Sequence, residues 1–502
     1  MSDLHGLRRA IASARVYELA RRTPLQFMSA LSTEAHRVHL KREDMQDVFS
    51  FKIRGAANRI ARLDPQARAG GVVAASAGNH AQGVAAAARH YGVSATIFMP
   101  VTTPPIKVEA VRRMGADIRL TGDGYDAACA AALDHARREG AIFVHPFDDP
   151  DVIAGQGTVG REILDDLTQP AAIYVCCGGG GLVAGVAAWS KWLSPETRVI
   201  AVESEGAPTL KAALEAGAPV SLPHVDGFAD GAAVRRIGDI PFAVARELVD
   251  AVELVTNDEI SAAVKAVFAS TRTVAEPAGA LALAGAIKQM REGTAPEGDL
   301  VVTLSGANIN FDRIGHIVER AELGAGEEML LAVTLPETRG AFRRFVEVVG
   351  RRAVSEFNYR YQDSDTARIL VGIKTSDFTE RERVVAELDG AGMAATDLSE
   401  DRLAKRHLRH MIGGRSPAGV EERLFRVEFP ERPGALSDFL AGLDDRWNIS
   451  LFHYRNHGAV EGHVLCAFQL PRGDADALRA SLDRLGFPVT EESGNPAAGM
   501  FL

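Results

Sequence analysis

Lys52 lies in the segment Ser50-Phe-Lys-Ile-Arg-Gly-Ala56, flanked by apolar Phe51 and Ile53. A lysine between apolar residues ordinarily lays its stem along a surface and keeps its ammonium in water. Here the flanks place Lys52 at the wall of a core. Burial lowers an amine's pKa and makes it a competent nucleophile toward an aldehyde. Three other segments could serve the same chemistry. Ala75-Ser-Ala-Gly-Asn-His-Ala-Gln-Gly83 joins an expected strand to an expected helix. Its small residues let a ligand approach the backbone, and amides at a helix start favour an anion. Gly178-Gly-Gly-Gly-Leu182 can turn several N–H groups onto one phosphate. No Gly-Lys-Ser/Thr follows it, and it lacks the dinucleotide spacing, so a phosphate monoester fits best. Leu304-Ser-Gly-Ala-Asn308 sets a hydroxyl at the end of the expected strand Val301–Leu304. Taken singly, Ala75–Gly83 is also readable as a glycine turn of no chemical meaning and Gly178–Leu182 as a flexible loop.

Together, in this order and spacing, the four segments resemble the serine and threonine dehydratase family of pyridoxal phosphate (PLP) enzymes, in the tryptophan-synthase-β class. The resemblance covers nearly the whole chain and points within that family to the long biosynthetic threonine deaminases. It implies PLP held on Lys52 as a Schiff base, with Lys52 also the general base. It implies that Asn79 bonds the cofactor's ring oxygen, that Ser76, Ala77, Gly78 and His80 hold the substrate carboxylate, and that Ser305 meets the pyridine nitrogen. Gly178, Gly179, Gly180, Gly181 and Leu182 form the phosphate turn, and Phe51 packs on the ring unless it is an ordinary core aromatic. A neutral hydroxyl at the ring nitrogen leaves a weaker electron sink than an acid would, which favours loss of a β-leaving group. The implied activity is that of a threonine ammonia-lyase: β-elimination and deamination of L-threonine to 2-oxobutanoate and ammonia, the committed step toward isoleucine. The cofactor phosphate is one candidate for protonating the departing hydroxyl.

These turns need a scaffold. From about residue 20 to 320 short apolar strands alternate with Ala-rich helices. Expected strands are Gly71–Ala75, Ala95–Met99, Ile142–His145, Ile173–Cys177, Val199–Glu203 and Leu300–Leu304; expected helices include Gln82–Tyr91, Pro105–Met114, Asp126–Glu139 and Leu182–Trp192. Alternation of this kind predicts an α/β region with a mainly parallel sheet, covered on both faces because its strands are continuously apolar. Ligands bind such folds at the carboxyl ends of strands, where the glycine turns fall. The resemblance makes this the PLP fold type II, in two α/β subdomains spanning 1–324.

Beyond Gly324 the texture changes, and Gly324–Glu328 reads as a short linker. Leu335-Pro-Glu-Thr-Arg-Gly-Ala-Phe342 then aligns with Phe429-Pro-Glu-Arg-Pro-Gly-Ala-Leu436, and Ser355-Glu-Phe-Asn-Tyr-Arg360 with Ser450-Leu-Phe-His-Tyr-Arg455. Each copy has a helix after the turn (Phe342–Val349; Leu436–Asp445) and further strands such as Ala367–Ile373 and Gly462–Phe468. This predicts two α+β ferredoxin-like βαββαβ units able to share one sheet. Arg409–Gly419, with Gly413-Gly414 and Pro417, reads as the hinge between them. The resemblance makes them ACT-like regulatory domains, 329–405 and 423–498, with isoleucine inhibiting and valine relieving. Tyr359 and Tyr454, and Phe357 and Phe452, hold matched places and are the expected effector contacts, the alternative being that they pack the cores. Such coupling implies a global change, in an expected homotetramer. The tail Gly499–Leu502 is the weakest match.

Composition bounds the rest. The chain has 502 residues, too many for one ordinary core, and a formal net charge of −10, which argues against a general nucleic-acid or anionic-membrane binder. Four cysteines give no disulfide framework, and the adjacent Cys176 and Cys177 read as buried thiols. The N-terminal segment lacks a signal's apolar core, and the longest apolar run, Pro277–Ile287, is too short to span a bilayer, so a cytoplasmic location is expected. Phe228-Ala-Asp-Gly231, with Glu203 upstream, could contribute to a cation site, but as plain sequence it is a turn with a solvated or capping acid, and no metal is assigned. A serine-preferring dehydratase, a PLP-dependent β-replacement and an amino-acid sensor with a dead catalytic domain remain as alternatives.

Overall fold

The computed structural model describes residues 4–360, 365–401, 404, 421–430, 435–443, 446–455, 461–471 and 473–494. The chain divides into two units, Met1–Gly324 and Ala325–Leu502.

The first unit holds two sheets. The larger has the strand order Leu25–Phe27, His36–Arg42, Gly298–Leu304, Ala172–Cys176, Arg198–Ser204 and Ala251–Val255, parallel except for the first. The smaller runs Asp117–Leu120, Ala95–Met99, Val72–Ala75 and Ile142–Phe143, all parallel. Ala172–Cys176 and Val72–Ala75 are buried at every residue, as strands covered on both faces must be. Cys176 and Cys177 are buried free thiols.

The helix Lys52–Ala61 is clasped between helices Asn79–Tyr91 and Pro150–Asp166. The approach is close enough to need glycine. A Cβ at Gly83 would sit 3.0 Å from the Lys52 carbonyl oxygen, and one at Gly155 2.6 Å from that of Arg54. The helix is also pinned by charge. Arg54 donates to both carboxylates of Glu43 (2.7 Å) and Glu162 (2.5 Å), and Lys41 Nζ donates to Glu162 Oε2 (2.6 Å). All four side chains are wholly buried, and Thr23 Oγ1, Tyr17 OH and Thr158 Oγ1 complete the network. This cluster ties the helix that begins at Lys52 to the larger sheet.

The second unit is one eight-stranded antiparallel sheet, ordered Ala394–Asp397, Glu328–Pro336, Thr366–Lys374, Val354–Arg360, Asn448–Arg455, Glu461–Leu470, Glu421–Pro430 and Val489–Glu491. Each half is a βαββαβ copy, with helices Ala341–Val349 and Phe378–Gly390 in the first and Ala435–Gly442 and Ala475–Asp483 in the second. The copies join through Val354–Arg360 and Asn448–Arg455, where Asn358 pairs with its equivalent His453. They share even an irregularity: the extra residue of a β-bulge is Ser355 in one and Ser450 in the other.

The connection into this unit is shorter than expected. Gly324 and Ala325 belong to the helix Ile314–Ala325, and Glu328 already starts a strand, leaving Gly326 and Glu327 between them. Gly324 faces the Asp258 carbonyl too closely for a side chain, so its glycine serves packing and not a break. The hinge at Arg409–Gly419, most of the turn preceding Leu436 and the tail Gly499–Leu502 lie outside the described residues.

Candidate active site

Lys52 is the first residue of its helix, and the backbone before it is bent to suit. Phe49 takes a left-handed φ of 55°, uncommon for a non-glycine residue. Two backbone bonds then tie this bend to the serine turn: Phe51 N donates to Ser305 O (3.2 Å) and Ala307 N to Phe49 O (2.9 Å). Lys52 Nζ donates to Pro146 O (2.9 Å) and lies 5.2 Å from the centre of the Phe51 ring. Burial lowers its pKa to about 8, against smaller opposing effects from Cys176 and Glu276. The positive end of its own helix also disfavours an ammonium there.

The segment after strand Ile142–Phe143 joins three of the expected site elements. Val144 O pairs with His80 Nε2 (2.8 Å), Pro146 O takes Lys52, and the Phe147 ring fills the space a side chain on Gly179 would need. Because a carbonyl can only accept, His80 Nε2 carries the proton and its buried Nδ1 is a bare acceptor with no partner among the described residues. Burial, helped by Lys52, holds His80 down at about 3, so the ring is neutral. Ser76, Ala77, Gly78 and Asn79 remain half-buried at the mouth of strand Val72–Ala75, with Gly78 N donating to Ser76 Oγ (3.2 Å).

The glycine turn Gly178–Gly181 sits at the end of strand Ala172–Cys176 and opens helix Gly181–Leu193, whose Leu182 packs into the core. Gly180 has φ +87°, and a Cβ at Gly178 would meet Ala232 O at 2.6 Å. Among the described residues, no group accepts from the amides of Gly178–Gly180. This is a side-chain-free cradle of amides at a helix start, which is what a phosphate requires. Ser305 ends strand Gly298–Leu304, is buried, donates to Ala278 O (3.3 Å), and lies against the Cys176 thiol. An amine of lowered pKa, a phosphate cradle and a strand-end hydroxyl are thus gathered at the carboxyl ends of strands from both sheets. The residues present fit PLP.

Four participants were not singled out as site residues from sequence: Pro146, Phe147, Glu276 and Asn308. Glu276 is buried, accepts from Asn79 Nδ2 at 2.6 Å, and is pushed up to about 7 by burial and by Asp230. Its signal was Glu276-Pro277 at the start of a helix, which sequence alone presents as a boundary. Glu203 is a buried cap for helix Thr209–Ala216, accepting from Leu210 N (2.7 Å) and Lys211 N (3.0 Å), while Asp230 pairs with Lys107 (2.9 Å).

Comparison with known proteins is decisive for the family. The pyridoxal-phosphate dependent enzyme family matches residues 16–306, and the C-terminal regulatory domain of threonine dehydratase matches twice, at 319–408 and 414–502. The biosynthetic L-threonine dehydratase of Burkholderia multivorans is 48% identical over 504 residues, covering 99% of each chain. The chain belongs to the biosynthetic threonine dehydratase family. Its Escherichia coli relative, also a biosynthetic L-threonine dehydratase, is 48% identical over 98% of this chain and 96% of its own. Among solved structures, a processed threonine deaminase isoform from Solanum lycopersicum superposes with TM-score 0.62 at 42% identity, over 64% of this chain and 93% of that one. Maize serine racemase follows at TM-score 0.59 and 31% identity, over 63% and 97%. PLP is therefore the cofactor of this dehydratase-family enzyme, and its C-terminal unit is of the regulatory kind.

In that regulatory unit Phe357, Tyr359, Phe452 and Tyr454 are all buried. Phe357 and Phe452 stack edge-on at 5.1 Å, each also against a helix aromatic, Phe345 or Phe439. In this conformation neither offers a face to a ligand. Tyr359 differs: its hydroxyl donates to Glu337 Oε2 (2.6 Å), at the rim of a cavity between the two copies. No helix among the described residues is long and apolar enough to cross a membrane.

Proposed function

We propose that the chain deaminates L-threonine to 2-oxobutanoate and ammonia, the water lost by β-elimination being regained on hydrolysis, in the step that commits carbon to isoleucine. The carrying observation is Lys52, an amine whose pKa burial lowers to about 8, at the meeting point of the glycine cradle, the Asn79 turn and Ser305. When bound, PLP supplies an electron sink for negative charge at the substrate's α-carbon. Lys52 would hold the cofactor through Nζ, and the same Nζ, once free, would take the substrate's α-proton. The amides of Gly178–Gly181 hold the phosphate, and those of Ser76–His80 hold the substrate carboxylate at a helix start. His80 stays neutral and adds no charge to that contact. Ser305 offers the ring nitrogen a neutral hydroxyl, and Phe51 bounds the site beside Lys52. The Cα–H and Cβ–O bonds break, the hydroxyl leaves as water, and the released enamine hydrolyses to 2-oxobutanoate and ammonium. Steady-state kinetics on threonine and serine test this. A higher kcat/KM for threonine is expected; a higher value for serine would move the chain to the serine-preferring alternative.

The proposal includes control by isoleucine, relieved by valine, acting in a homotetramer. Its support is a cavity in the C-terminal unit whose walls suit an apolar amino acid. Glu337 supplies a carboxylate for an ammonium, Arg343 a guanidinium for a carboxylate, and Leu440, Leu443 and Trp447 an apolar wall. Tyr359 and Asn448 both bond Glu337, at 2.6 and 3.2 Å. On this reading Tyr359 acts at the cavity through Glu337, while Phe357, Phe452 and Tyr454 carry its state across the join between the copies.

A further inference from the structure

The amide of Asn79 is held at both ends, and this fixes what it can offer a ligand. Asn308 Nδ2 donates to the backbone carbonyl of Val48 (2.8 Å), and a carbonyl can only accept, so that end of Asn308 is its NH2. The same Nδ2 donates to Asn79 (2.6 Å), so the Asn79 atom facing it is Oδ1. The other end of Asn79 is therefore Nδ2, and it donates to Glu276 Oε1 (2.6 Å). An amide has two donor hydrogens and one carbonyl. Here the carbonyl and one hydrogen are used within the protein. One N–H is left, on a residue that is half-buried and reachable, unlike buried Glu276.

Glu276 is built into this arrangement. Its backbone N donates to Gly306 O (3.3 Å), and a side chain at Gly306 would push Glu276 Oε1 from its place. The turn that carries Ser305 and Asn308 thus closes directly over the Glu276 carboxyl. Glu276 itself begins helix Pro277–Glu292.

We propose that Glu276 is a positioning residue for the cofactor: with Asn308 it clamps the Asn79 amide so that a single N–H, and no acceptor, faces the cofactor ring oxygen. This rests on the reading that Asn79 contacts that oxygen. A clamped donor stabilises the oxygen in its deprotonated form and rejects a ring hydroxyl that would need an acceptor. Glu276 need not touch the cofactor to do this.

A double-mutant cycle tests it, read as the dissociation constant for PLP when apoenzyme is titrated and the visible cofactor band is followed. The apoenzyme Tm of each variant is measured alongside. Asn79→Ala should weaken PLP binding about tenfold, the scale of one lost hydrogen bond to a charged oxygen. Glu276→Leu should do the same in the parental chain and have no further effect in the Asn79→Ala background. Glu276→Gln keeps an acceptor oxygen and should hold affinity within about twofold. If Glu276→Leu does not fold, Asn308→Leu replaces it, with the same non-additivity expected. An unchanged affinity in Asn79→Ala would remove the underlying reading of Asn79. Normal weakening by Asn79→Ala, but additive losses from Glu276→Leu or Asn308→Leu, would overturn the positioning role alone. So would a Glu276→Gln loss equal to that of Glu276→Leu.

Discussion

The two units fill their interiors differently. Of the largest wholly buried side chains among the described residues, Arg54, Lys41, Tyr174 and Ile11 belong to the catalytic unit; Phe345, Phe357, Phe425, Phe439, Phe452, Phe468 and Tyr454 belong to the regulatory one. Buried charges are costly to desolvate and need partners in set directions, so they select one arrangement. Arg54, two residues from Lys52, has its guanidinium fixed by two carboxylates from separate elements. Aromatic packing is non-directional by comparison, and in the regulatory unit it crosses a join between two equivalent copies. A reactive amine needs a fixed frame. A domain that answers to a ligand needs packing able to settle in more than one way.

Four substitutions probe that contrast, from the largest effect downward. Lys52→Ala should abolish turnover, by at least about 10³-fold, and remove the visible cofactor band, while the apoenzyme's Tm stays near the parental value. Near-normal deamination by this variant would defeat the assignment of Lys52. Arg54→Leu leaves Glu43 and Glu162 buried with Lys41 as the remaining cation of the network. It should cost about 3–5 kcal/mol in denaturant unfolding of the catalytic unit. A cost below about 1 kcal/mol would mean that the charges do not fix the frame. Phe452→Ala should cost about 3–5 kcal/mol in the regulatory unit and blunt the response to isoleucine, while turnover without effector is retained. Equal loss of basal turnover would erase the distinction between the units. Arg479→Ala, breaking an exposed pair with Asp483 at 3.1 Å, should change stability by less than about 0.5 kcal/mol.

Local pattern carried the catalytic scaffold well. Ala95–Met99 lies where its apolar run places it, and the glycine turn opens the helix expected from Leu182. The repeat was legible down to Ser355 and Ser450, now seen as matched bulge residues. The strand His36–Arg42 was not. His-Arg-Val-His-Leu-Lys-Arg reads as surface until Lys41 meets Glu162, which lies far away in sequence. Glu276 and Asn308 were missed for the same reason, since their meaning depends on Asn79, which lies 197 and 229 residues away in sequence. The matched aromatic residues teach a subtler lesson. Equivalent places in a repeat mark equivalent surroundings, and for Phe357 and Phe452 those surroundings are the core.

The most direct test is 2-oxobutanoate production from L-threonine by the full chain, with and without isoleucine and then with valine added. We expect steady turnover, inhibition of about fivefold or more by isoleucine, and recovery on adding valine. No 2-oxobutanoate, or a rate indifferent to isoleucine, would contradict a threonine dehydratase governed by its own C-terminal unit.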